Sequence, residues 1–173
     1  MASSTVLQGL PPLLSPTTRL LILGSFPGVA SLRSQQYYGH PQNQFWRLLA
    51  TLMAAEPLLV VQSSYAERTA WLLSQGVGLW DVYARCEREG SLDSAIRAPV
   101  LNELSSLRKQ CPQLRALAHN GGESFRHARH TQALGLPVFR LPSSSPANAS
   151  WSFERKLAAW CEVLQHAGCL TQR

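Results

Sequence analysis

The chain has 173 residues, 45% of them hydrophobic and 15% charged, with a formal net charge of +6. That length fits one domain with a sizeable core, and that balance excludes a disordered chain. Its longest apolar run falls far short of the ~20 residues of a membrane span, so no membrane partner is expected.

Residues 1–15 carry no basic cluster ahead of their apolar residues, so no secretory leader is expected. With Pro11, Pro12 and Pro16, residues 1–18 read as an irregular lead-in. A first strand is expected over Arg19–Leu23, emptying into Gly24-Ser25-Phe26-Pro27-Gly28. The run Tyr37-Tyr38-Gly39-His40-Pro41-Gln42-Asn43-Gln44-Phe45-Trp46 follows, and over Asn43–Met53 helical spacing puts Phe45, Leu48, Leu49 and Leu52 on one side. Ser64-Tyr65-Ala66-Glu67 reads as a capping box opening a helix that ends at Gln75, with Gly76 as its stop.

Three more short apolar runs, Val77–Val82, Leu114–His119 and Val138–Leu141, read as buried strands. Between them, Asn102 is expected to cap a helix over Glu103–Lys109, with Pro112 as a stop signal, and a weaker helix spans Gly122–Leu134 and closes at Gly135. Phe153, Leu157, Trp160, Cys161 and Leu164 mark a final amphipathic helix, with Cys161 on its apolar face. Strands alternating with helices predict a three-layer α/β/α sandwich around a short, mainly parallel four-stranded sheet, with residues 1–173 as one unit.

A basic balance favours polyanionic partners. Lys109 and Lys156 are the only lysines, and the remaining arginines suit bidentate phosphate contacts. A GC-rich genome, which favours arginine codons, accounts for the same bias. Cys86, Cys111, Cys161 and Cys169 are widely spaced with no C-x-x-C, so neither metal nor iron–sulfur cluster is expected. A reduced, intracellular chain fits this cysteine usage.

In a parallel sheet, the loops at the carboxyl ends of the strands converge on one site. Here those loops include Gly24–Gly28 and Leu141-Pro142-Ser143-Ser144-Ser145-Pro146-Ala147-Asn148. Together with the segment Tyr38–Trp46, their order and spacing resemble the uracil-DNA glycosylase superfamily, and within it the hypoxanthine-DNA glycosylase branch. The resemblance runs from about Arg19 to Leu164. It implies an enzyme that hydrolyses the N-glycosidic bond of a deaminated base, chiefly hypoxanthine, in base excision repair. DNA, double- or single-stranded, would be its partner, and it would need no cofactor and act as a monomer with the nucleoid in a bacterial cytoplasm.

Residue by residue, the resemblance implies that Tyr38 stacks on the flipped base, whereas a generic reading makes it a tyrosine shielding the core. It implies that Asn43 is catalytic and holds a water in line with the sugar carbon; the commoner use of such an asparagine is a helix cap. Ser25, Phe26 and Asn120 would line the base pocket. Relatives often carry Asp, Asn or Glu where Phe26 stands, and a phenyl ring cannot orient water, so the catalytic burden shifts to Asn43 and Asp81. Asp81 would also read the base edge, since a carboxylate can accept from N1–H of hypoxanthine. Its competing use is an ion pair with Arg85 or Arg88.

Asn120-Gly121-Gly122 reads as an anion-facing helix start or as a plain turn. Ser143, Ser144, Ser145, Ala147 and Asn148 would form a minor-groove loop contacting phosphates, although Ala147 replaces a bulky leucine and is a weak wedge. A solvated turn is the ordinary reading of such a segment. His127 and His130 read as surface residues. Two other functions fit the same motifs: a uracil or mismatch glycosylase, and a non-catalytic reader of damaged DNA.

Overall fold

The computed structural model describes residues 5–170. The lead-in is not irregular throughout: β1 (Val6–Gln8) pairs antiparallel with a later strand, and Leu13 forms an isolated bridge to Leu79. The part of the lead-in over residues 1–4 lies outside the described residues. β2 (Leu20–Gly24) then enters the centre of the molecule with all five residues buried. With β3 (Val77–Asp81), β6 (Ala116–Asn120) and β7 (Val138–Leu141) it forms a parallel sheet in the order β3-β2-β6-β7. All four strands lie where the sequence places them, the third beginning two residues later.

Alternation along β2 sends its side chains to two different layers. Leu20 and Ile22 pack with Phe45, Leu48 and Leu49 of α2 (Phe45–Met53), Leu72 of α4 (Tyr65–Ser74) and Trp160 of α8 (Phe153–His166). Leu21 and Leu23 pack on the other face with Leu104, Leu114 and Leu107, the last from α5 (Leu107–Gln110). This is the expected α/β/α arrangement. The capping box is present, Ser64 Oγ accepting from Glu67 N at 3.1 Å. No described helix is long and apolar enough to cross a membrane.

Several local expectations are corrected. Asn102 caps no helix; its Nδ2 donates to the Asp81 carbonyl at 2.8 Å. The stretch from Gly122 breaks into α6 (Gly122–Phe125) and α7 (Ala128–Gln132), with Ser124 and Thr131 each 2.8 Å from the buried His119 ring. Cys161 is only half-buried, whereas Cys86, Cys111 and Cys169 are buried. Helices α1 (Val29–Ser34) and α3 (Pro57–Gln62) had no expectation.

A second sheet was also unforeseen. β4 (Tyr83–Glu87) leaves β3 after a single residue and pairs antiparallel with β1 and with β5 (Arg97–Leu101), in the order β1-β4-β5. Pro99 and uniformly exposed side chains hide β5 in the sequence, and both are marks of an edge strand. Phe26 packs on this second sheet, against Tyr83 and Cys86 of β4.

Candidate active site

A cavity of about 910 Å³ opens where the parallel strands end, and every residue given a catalytic, base-binding or DNA-contacting role from the sequence lines it. Gly24 ends β2, Asp81 ends β3, Asn120 ends β6, and the Ser143–Asn148 loop follows β7. The shared strand direction therefore gathers residues that lie far apart in the chain.

Asp81 is the most constrained of them. It is paired in register with Gly24, and a Cβ on that glycine would stand 2.5 Å from Asp81 Oδ1 and 3.2 Å from Tyr38 Oη. Only glycine leaves room for both groups. Asp81 is 5% exposed, and its Oδ2 is buried with no hydrogen-bond partner among the described residues. Burial, and then the negative charge of Asp93, raise its carboxyl from 3.8 to about 7; Arg88 pulls weakly the other way. Neither Arg85 nor Arg88 forms an ion pair with it among the described contacts, where the one salt bridge joins Arg126 and Glu123.

Tyr38 adopts a left-handed φ of 54°, costly for a non-glycine residue by roughly 1–3 kcal/mol. Its surroundings hold it there. Phe45 stacks on its ring at 4.0 Å, leaving the opposite face as the one a ligand could use, and its hydroxyl accepts from Asn120 Nδ2 at 3.1 Å. The preceding Tyr37 is core, buried and donating to the Pro11 carbonyl at 2.7 Å.

Asn120 lines the pocket as a clamp. Its Nδ2 also donates to Ser144 Oγ at 2.9 Å, and its Oδ1 accepts from Ser144 N at 3.0 Å. Ser144 is wholly buried, which corrects the expectation that its hydroxyl is free for phosphate. Its carbonyl accepts from Gln44 N at 3.0 Å, and Gln44 Oε1 in turn accepts from the buried Lys156 Nζ at 2.9 Å. Gly121 behaves as a turn: φ is 98°, and its N–H is taken by the Leu141 and His119 carbonyls.

Asn43 is not the cap of α2, a position held by Gln44 with no side-chain capping bond. Its Oδ1 accepts from Phe45 N at 2.9 Å in the turn that leads into α2, while the residue remains half-buried on the cavity wall. In the Ser143–Asn148 loop, Ser143 and Ser145 bond back to the loop's own N–H groups, Asn148 Nδ2 donates to the Ser143 carbonyl, and Ala147 is exposed.

The sequence reading missed the segment between β4 and β5. Ser91, Leu92, Asp93 and Ser94 line the cavity, with Asp93–Ala95 forming a 3-10 turn. Ser25 Oγ donates to Asp93 Oδ1 at 2.6 Å, so the first loop holds a carboxylate after all, borrowed from elsewhere in the chain. Burial raises the Asp93 carboxyl, while the Ser25 hydrogen bond opposes that rise. No local signal marks this segment, because its place depends on a sheet that was itself not foreseen. His127 is likewise more than a surface residue, its Nε2 lying 2.8 Å from the Tyr83 hydroxyl, which donates to Glu123. Among the described residues no cluster of His, Cys, Asp and Glu is arranged to hold a metal ion.

Residues 11–165 match the family model of the uracil DNA glycosylase superfamily. The chain is 38% identical over 159 residues to a hypoxanthine DNA glycosylase of Methanosarcina barkeri, covering 91% of this chain and 98% of that one. It is 36% identical over 159 residues to a hypoxanthine DNA glycosylase of Methanosarcina acetivorans, covering 92% and 98%. A solution NMR structure from Methanosarcina acetivorans, provisionally assigned as a uracil DNA glycosylase, superposes with a TM-score of 0.84 at 36% identity, covering 95% of this chain and 99% of that one.

Proposed function

From the premise that the chain belongs to the uracil DNA glycosylase superfamily and is a DNA glycosylase, we propose that the base it releases is chiefly hypoxanthine, from deoxyinosine in DNA. The observation that carries this reading is the buried carboxyl of Asp81, a cavity-lining residue whose Oδ2 has no hydrogen-bond partner among the described residues. Hypoxanthine presents an N1–H donor beside its O6 acceptor. A donor arriving at Oδ2 supplies the missing partner and favours the ionised carboxyl against the burial that opposes it. Adenine has a bare lone pair at N1, which that carboxylate repels. The names of the two Methanosarcina relatives support the same substrate.

The other side chains take complementary roles. Tyr38 offers one ring face to the flipped base, a stacking contact worth roughly 1–3 kcal/mol. Asn43 positions the attacking water. A weak nucleophile suffices because glycoside cleavage passes through an oxocarbenium-like state with the bond largely broken. Ser25 and Phe26 form the pocket floor, and the Ser143–Asn148 loop grips the backbone. The enzyme acts as a monomer on double- or single-stranded DNA, in the cytoplasm with the nucleoid.

The deciding experiment is a single-turnover assay on oligonucleotides carrying deoxyinosine, deoxyuridine or a G:T mismatch. Fastest release from deoxyinosine is expected. Uracil shows Asp81 a similar N–H and carbonyl edge, and its faster release would overturn the hypoxanthine assignment.

The product is expected to be an intact abasic site that breaks only on alkali or heat. A lyase needs an amine that reaches the sugar to form a Schiff base. Burial lowers the Lys156 ammonium below its ordinary range, which would favour the free amine, but the side chain is 2% exposed and its Nζ is held by Gln44. Lys109 lies on α5, outside the cavity. A covalent enzyme–DNA adduct trapped with borohydride would contradict this.

A further inference from the structure

Two exposed residues at the mouth of the cavity differ in what they could insert into DNA. Ala147, in the loop after β7, offers a single methyl group. Leu92 lines the same cavity and is 62% exposed, between the polar Ser91 and Asp93. A lone surface leucine is ordinary. This one is set apart by its position and by how firmly its loop is held.

Ser91 Oγ accepts from Val29 N at 2.9 Å, and Asp93 Oδ1 accepts from Ser25 Oγ at 2.6 Å, so the residues on either side of Leu92 are tied to the start of α1 and to the loop after β2. Arg88 adds two more ties, its Nη2 donating to the Pro27 carbonyl at 2.6 Å and its Nε to the Gly90 carbonyl at 2.9 Å. The Leu92 carbonyl itself accepts from Ala95 N at 3.1 Å. The side chain is thus an apolar knob on a fastened base, with little backbone freedom left to lose on contact.

Extruding a nucleotide leaves a gap in the stack, and proteins that distort duplexes commonly fill such gaps with an apolar side chain. We propose that Leu92 is the wedge of this enzyme, entering the stack where the target nucleotide leaves it, while the Ser143–Asn148 loop only grips the backbone. The two loops are well placed for this division. One is fastened beside β2 and the other follows β7, two strand positions away, or roughly 10 Å at ordinary strand spacing. This inference rests on the glycosylase reading but not on which base is released.

The test compares duplex and single-stranded oligonucleotides carrying the same lesion, for the parent, Leu92→Ala and Leu92→Met. A single strand has no opposing stack to hold open, so the wedge matters chiefly on the duplex. Leu92→Ala is expected to lower the duplex-to-single-strand rate ratio about tenfold, in line with the cost of unstacking a paired base. Leu92→Met, still long and apolar, should keep that ratio within about twofold of the parent's. An unchanged ratio in Leu92→Ala, including an equal fall on both substrates, would overturn the proposal.

Should the parent release uracil and not hypoxanthine, the substrate reading falls and the ratio is read on uracil. A second measurement needs no chemistry. A 2-aminopurine beside the lesion brightens when the duplex is opened, and Leu92→Ala should bind with less brightening than the parent; equal brightening would count against the wedge.

Discussion

Asn43→Ala is expected to lower the single-turnover rate of base release by about 100-fold, the scale of removing one positioned polar group from a transition state. Duplex affinity should hold, because a group that orients water acts on the transition state far more than on the bound ground state. The same side chain accepts from Phe45 N in the turn ahead of α2, so the variant should also lose about 1 kcal/mol of stability with that hydrogen bond. Asn43→Ser separates the two contributions. Serine can still accept from Phe45 N but is too short to hold a water where the amide does. Thermal denaturation should show Asn43→Ser melting near the parent, while rapid-quench kinetics show it as slow as Asn43→Ala. A serine variant that regains both stability and rate would assign Asn43 to the turn alone.

Asp81→Asn is expected to stabilise the protein at alkaline pH while damaging its choice of base. The carboxyl titrates near 7 in the folded protein against an ordinary value of 3.8. Between those values the folded state holds a proton that the unfolded state has released. Stability therefore falls as pH rises through that window and is level above it. The span corresponds to roughly 4 kcal/mol. An asparagine carries no such cost, so the stability difference between Asp81→Asn and the parent should widen by up to that amount from pH 4 to pH 8. Denaturant unfolding at the two pH values reads it, and parallel profiles would show that Asp81 is not the buried acid inferred here. On DNA, the amide can donate as well as accept, which relaxes discrimination and raises uracil release relative to hypoxanthine. An equal loss on both bases would assign Asp81 to catalysis or folding instead of recognition.

The parallel sheet was legible because Leu20 to Leu23 and the three matching runs are short, apolar and bounded by Gly, Pro or Asn. Burial enforces that pattern in β2, β3 and β6, whereas the edge strand β7, expected to be buried, is so only at Leu141 and exposes Arg140. The cavity wall was legible because strand direction alone brings Gly24, Asp81, Asn120 and Ser143 to one end. β5 was not legible, since an exposed edge strand with Pro99 at its centre keeps none of the usual alternation. With it went Leu92 and Asp93, whose roles depend on a loop laid across the site by that second sheet. Ser144 failed for a different reason. Its composition reads as a solvated turn, and only the Asn120 clamp, contributed from 24 residues away, shows it to be interior.

The connected bonds from Lys156 through Gln44 and Ser144 to Asn120 and Tyr38 set how the work of recognition is divided between enzyme and substrate. Those bonds brace Tyr38, Asn120 and the Ser143–Asn148 loop in one frame, so on the proposed reading the base seat and the backbone grip do not adjust separately. Distortion on binding then falls on the DNA, whose bending and unstacking energy depends on the pair being opened. A deaminated base in a weakened pair yields cheaply, and a sound pair resists. On the proposed reading, the stiffness of the protein would thus act as a mechanical filter, sorting sites by compliance before any atom of the base is read.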